Sequence, residues 1–109
     1  MGDRRRNPRF GVEVEGIIRN ASGAAHKVKI SNLSVHGCRF VSRRKRMGPG
    51  SYLTIRCGPL DFIDARVAWR MGDVHGVVFE QALHPAVLDH IRLFLSKEPA
   101  LIEEAPAGA

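Results

Sequence analysis

The chain has 109 residues, 44% of them apolar, and a formal net charge of +6. That length holds one hydrophobic core but not two, and the apolar share excludes disorder throughout. No window approaches the ~18 apolar residues of a membrane-spanning helix, no secretory leader is visible, and the charge points to an anionic partner without naming it.

The charge is concentrated at the N-terminus, where Arg4, Arg5, Arg6 and Arg9 fall within six residues. Strand character begins immediately after them. Phe10, Val12 and Val14 alternate with Gly11, Glu13 and Glu15, the period-2 pattern of a half-buried strand, and it continues through Ile17-Ile18-Arg19. Gly16 within this run predicts a bulge or a barrel corner. Asn20-Ala21-Ser22-Gly23 reads as a turn, and a second strand is predicted from about His26 to Ile30. Ser31 to Gly37 reads as a polar turn, after which Cys38 to Val41 resumes a strand.

Ser42 to Met47 is a charged loop closed by Gly48-Pro49-Gly50, and its cations Arg43, Arg44, Lys45 and Arg46 read as an exposed face. Tyr52 to Arg56 forms a short strand, and Phe62 to Arg70 a longer one with Ile63, Ala65, Val67 and Trp69 on one parity. That parity places Trp69 in the core. The last strand runs from Val74 to Phe79 and contains Gly76. The period then changes. Pro85 to Ser96 shows helical spacing of Val87, Leu88, Ile91, Leu93, Phe94 and Leu95, with proline suited to the first turn. Residues 97–109 are small, polar and uncapped, and read as a disordered tail.

The expected fold is therefore mainly β: a six-stranded antiparallel barrel spanning 10–96 with one C-terminal helix, preceded by a flexible arm at 1–9. A sandwich of the same strands is the alternative. Cys38 and Cys57 have no metal or redox spacing and read as buried thiols of a cytoplasmic protein. None of the histidines has a partner at nucleophile or metal spacing, so neither an enzyme nor a metal site is expected. A basic barrel could also bind single-stranded nucleic acid, but aromatics are only 6% of residues and their parities suit a core.

Two segments carry a family resemblance. Arg5-Arg6-Asn7-Pro8-Arg9 matches RxxxR ahead of the first strand, and Asn32-Leu33-Ser34-Val35-His36-Gly37 matches [D/N]xSxxG. Val67-Ala68-Trp69 and Gly76-Val77-Val78-Phe79 are weaker echoes. In this order, over about Asp3 to Leu95, the chain resembles the PilZ domain, the bacterial receptor module for cyclic di-GMP. The resemblance implies a ligand site of Arg4, Arg5, Arg9, Asn32, Ser34 and Gly37. Arginine forks suit phosphates and the O6/N7 edge of guanine, and the asparagine amide suits a base edge. Arg4 ahead of RxxxR implies two stacked ligand molecules. The resemblance further implies an arm that orders on binding and signals to an effector protein in trans; a ligand-free adaptor is the remaining alternative.

Overall fold

The computed structural model describes residues 8–97 and 101–102. Six strands form a closed antiparallel barrel: β1 (Phe10–Asn20), β2 (Ala25–Leu33), β3 (Gly37–Val41), β4 (Tyr52–Cys57), β5 (Ile63–Met71) and β6 (Val74–Phe79). The hydrogen-bonded order is β2-β3-β6-β5-β4-β1, and pairing of β1 with β2 closes the ring. Closure removes the exposed edges that a small sheet would otherwise present to other chains. The barrel expected from the alternating pattern is the one observed.

β1 makes closure possible because it is long. It pairs with β2 from Phe10 to Arg19 and with β4 only over Gly16–Asn20. The bulge predicted at Gly16 lies instead between Gly11 and Val14. Gly16 is a point of close approach, where an added Cβ would come within 2.7 Å of the Arg56 carbonyl oxygen and the Ile30 side chain. The part of β1 that β4 leaves unpaired is taken up by β7 (Leu101–Ile102), opposite Phe10 and Gly11. Nearby, the Lys97 N–H donates to the Glu13 carbonyl at 2.9 Å, and Ser96 Oγ accepts from the Glu13 N–H at 2.9 Å. The expected loose tail is thus paired along β1 at Lys97 and at Leu101–Ile102; its other residues lie outside those described.

Inward-facing residues follow the predicted parities. Phe10, Leu33, Cys38, Val77 and Val67 are cross-strand partners in one row, and all are buried. The helix is shorter and less regular than its periodicity suggests. His84 caps α1 (Pro85–His90), its Nδ1 accepting the Ala86 N–H at 3.0 Å, and Pro85 occupies the first turn. A π-helical turn, Ile91–Leu95, adjoins it directly. Leu88 and Ile91 are buried; the wider turn rotates Phe94 off their face, leaving it 73% exposed, while Leu93, which α-helical spacing already turns away from that face, is 57% exposed. Only part of the predicted apolar stripe is a packing face. Among the described residues no helix is long and apolar enough to cross a membrane.

Candidate ligand site

The second motif is less a turn than two strand ends meeting at a tight corner. Asn32 and Leu33 belong to β2 and Gly37 opens β3, leaving only Ser34, Val35 and His36 outside the strands. Ser34 builds the corner, its N–H donating to the Gly37 carbonyl at 2.9 Å and its Oγ accepting from the His36 N–H at 3.2 Å. The corner is anchored to the end of β6. The Phe79 N–H donates to the His36 carbonyl at 2.8 Å, and the Leu83 N–H to the Val35 carbonyl at 2.7 Å. Gly37 is required by the barrel itself, because a Cβ there would lie 2.1 Å from the Val77 carbonyl oxygen. The close backbone approach at Gly37 is thus one toward β6.

Two bulges then align side chains that simple alternation would separate. Ser31 is the extra residue between the pairs Ile30↔Phe40 and Asn32↔Arg39. Ala68 is the extra residue between Val67↔Val77 and Trp69↔Gly76. Directly paired residues share a face of the sheet. Gly11, Asn32, Arg39, Gly76 and Trp69 are consecutive cross-strand partners, so they form one row on the outer face across β1, β2, β3, β6 and β5.

Trp69 therefore leaves the core, contrary to its sequence parity. The bulge at Ala68 reverses the alternation, and the indole is 40% exposed. It lies flat over Gly76, where a Cβ would come within 2.2 Å of the ring. The Arg39 guanidinium reaches across the same glycine to 5.6 Å from the indole centre, and its Nε is buried without a hydrogen-bond partner. Glycine leaves open the space that Arg39 and Trp69 share.

These residues surround a depression of about 300 Å³ lined by Arg9, Asn32, Ser34, His36, Arg39 and Trp69, among others. Arg9 is exposed, one residue before the Phe10↔Leu33 pair, and so stands beside the corner. Asn32 and Ser34 are only 5% and 8% exposed. Of the six residues expected at the site, the fold brings Arg9, Asn32, Ser34 and Gly37 together; Arg4 and Arg5 lie outside the described residues. Sequence reasoning missed Arg39 and misassigned Trp69. The signal for both was a polar residue on the outward parity of β3 and a glycine facing it from β6.

The chemistry of the depression is that of a binding surface. It offers guanidinium, amide, hydroxyl and indole groups, and among the described residues no three His, Cys, Asp or Glu side chains cluster as metal ligands. Burial raises the Cys38 thiol, which also lines it, well above its ordinary range, with a further rise from Cys57; burial pushes Cys57 up to about 12. Neither thiol is an available nucleophile at neutral pH.

A family model described as the PilZ domain matches residues 3–97. The chain belongs to the PilZ family. PilZ domains are binding modules rather than enzymes, and the family points to a receptor for cyclic di-GMP. No curated protein matches the chain. In this PilZ domain the outer-face row and the corner lie at the end of the barrel where β1 begins and β2 ends.

Proposed function

We propose that this PilZ domain is a cyclic di-GMP receptor that captures its ligand between the outer-face row and the N-terminal arginine arm. The observation carrying this reading is the convergence of Arg9 with Asn32, Ser34, Arg39 and Trp69 around one depression. A cyclic dinucleotide is a dianion with two purine faces and two O6/N7 edges. Trp69 supplies a flat surface for a guanine, Asn32 an amide for a base edge, and Arg39 and Arg9 cations for the phosphates. At about 300 Å³ the depression is at the small end of ligand pockets and covers one side of such a molecule. Arg5 and Arg4 of the arm cover the other side, and Arg4 supports a second, stacked ligand molecule.

Closing the arm costs conformational entropy, which the charge-assisted bonds must exceed. That cost links occupancy to the shape of the N-terminal surface, and an effector protein reads the change in trans. Calorimetric titration with cyclic di-GMP, GTP and oligo-dT tests the reading. Only the cyclic dinucleotide should bind with defined stoichiometry, two per chain, falling to one in Arg4→Ala. Arg9→Ala should abolish binding, and Trp69→Ala should weaken it by about 1–3 kcal/mol, the usual contribution of base–aromatic stacking. Salt-graded binding of oligo-dT without any dinucleotide signal would overturn it.

A further inference from the structure

The opposite end of the same strands forms a second and larger groove. Its volume is about 820 Å³, and none of its lining residues also lines the ligand depression. Along β2 the separation from Lys27 to Asn32 is roughly 17 Å at about 3.3 Å per residue. Lys27 and Lys29 project from β2 on either side of buried Val28, and exposed Arg43 and Arg44 come from the loop after β3. Among the described residues none of these four cations belongs to an ion pair. Glu15 on the rim faces Lys29 in register, yet its carboxylate lies 3.6 Å from the Lys97 ammonium. The groove therefore holds uncompensated positive charge.

The arginine loop is held in place at both ends. The Ser42 N–H donates to the Asp73 carbonyl at 2.9 Å, and Ser42 Oγ accepts the Lys45 N–H at 3.3 Å. Arg46 pairs with the Asp73 carboxylate at 2.9 Å, and the Met47 N–H donates to buried His75 Nε2 at 3.1 Å. The nearby carboxylate is thus committed to Arg46, leaving Arg43 and Arg44 for something else. A loop already ordered loses little entropy when it binds.

We propose that this groove docks an extended acidic segment of a partner protein. Lys27 and Lys29 are two residues apart on a strand, which matches carboxylates at alternate positions of an extended peptide. Half-buried Ile17 and Val41, paired in register with Lys27 and Lys29, provide apolar contacts between the cations. Such a mixed surface suits acidic residues interspersed with aliphatic ones. Among the described residues no Phe, Tyr or Trp lines the groove, so it lacks the large stacking platforms that single-stranded nucleic acid uses. This docking surface does not depend on the ligand reading, since the two sites share no residue.

The test is fluorescence anisotropy with a labelled peptide in which Glu alternates with Leu. The intact chain is compared with Lys27→Glu/Lys29→Glu and with Arg43→Glu/Arg44→Glu, and thermal melts establish that each variant is folded. The peptide should bind saturably to the native chain, and either reversal should weaken it by at least about tenfold. Oligo-dT of equal charge should not displace it. Equal affinity for native and reversed chains, or displacement by equimolar oligo-dT, would overturn the proposal. Cyclic di-GMP titration of the same variants reads the other site separately, and its outcome bears only on that site.

Discussion

Gly37 shows how one position can be set by the barrel before any ligand is considered. The space for its side chain is taken by the Val77 carbonyl, 2.1 Å from where a Cβ would sit. That neighbour is backbone in a paired strand and cannot rotate away, so Gly37→Ala must push β3 from β6 and disturb the corner that Ser34 builds. The expected cost is about 1–3 kcal/mol, the usual range for forcing extra volume into a packed interior. Gly48→Ala is the control, since a Cβ there meets nothing within 4 Å, and it should change stability by less than about 0.5 kcal/mol. Urea midpoints of the two variants decide the matter: equal midpoints would mean that the strands part freely. Asn32, Ser34 and Gly37 were legible as a motif because their types are specific. Trp69 was not, because its direction depends on a bulge. Whether β5 gains an extra residue at Ala68 is decided by its pairing with β6, where Gly76 accepts the indole and His75 fills the inward position. No local propensity around Ala68 carries that information.

At the scale of elements, the alternating strands were legible because their period survives any neighbour, and all six appear within a few residues of their expected limits. β2 extends past Ile30 to Leu33 because Asn32 and Leu33 find partners on both β1 and β3. The helix was legible as a helix but not as a packing face. In an unbroken α-helix Val87, Leu88, Ile91, Phe94 and Leu95 would share one stripe and Leu93 would lie opposite it, whereas the π-helical turn at Ile91–Leu95 also turns Phe94 outward. Ile91 is fully buried and its truncation leaves a cavity, so Ile91→Ala should cost about 2–5 kcal/mol. Phe94, larger and 73% exposed, should cost less than about 0.5 kcal/mol when cut to alanine. Ranking by hydrophobicity alone predicts the reverse order, so the denaturation midpoints of the two variants separate a π-turned segment from a regular helix.

At the scale of the whole molecule, one buried imidazole ties β6 to β3 and to the loop that follows β3. His75 on β6 stacks on Phe40 of β3 with ring centroids 4.9 Å apart. Its Nε2 accepts the Met47 N–H at 3.1 Å, so the ring proton sits on Nδ1 and is donated to the Asp73 carbonyl at 3.0 Å. Only the neutral ring can do both, since a protonated ring has no acceptor for Met47. Burial is the main reason that its pKa lies below the ordinary 6.5; Arg70 and Arg46 lower it further, against opposing effects of the Asp73 carbonyl and carboxylate. Above pH 6.5 the imidazole is neutral in both folded and unfolded chains, and its contribution to stability is fully present. As pH falls below 6.5 the unfolded chain takes up a proton that the folded one resists, so stability declines until the folded pKa is reached. The urea midpoint should therefore drop between pH 6.5 and pH 5. In His75→Phe that drop should shrink, while stability at pH 7.5 falls by about 1–3 kcal/mol because the Met47 N–H is left buried without an acceptor. The same variant frees the end of the arginine loop, so it should also weaken acidic-peptide binding at the groove without altering the groove's charge. An unchanged pH profile in His75→Phe would mean that other groups set the acid response of the barrel.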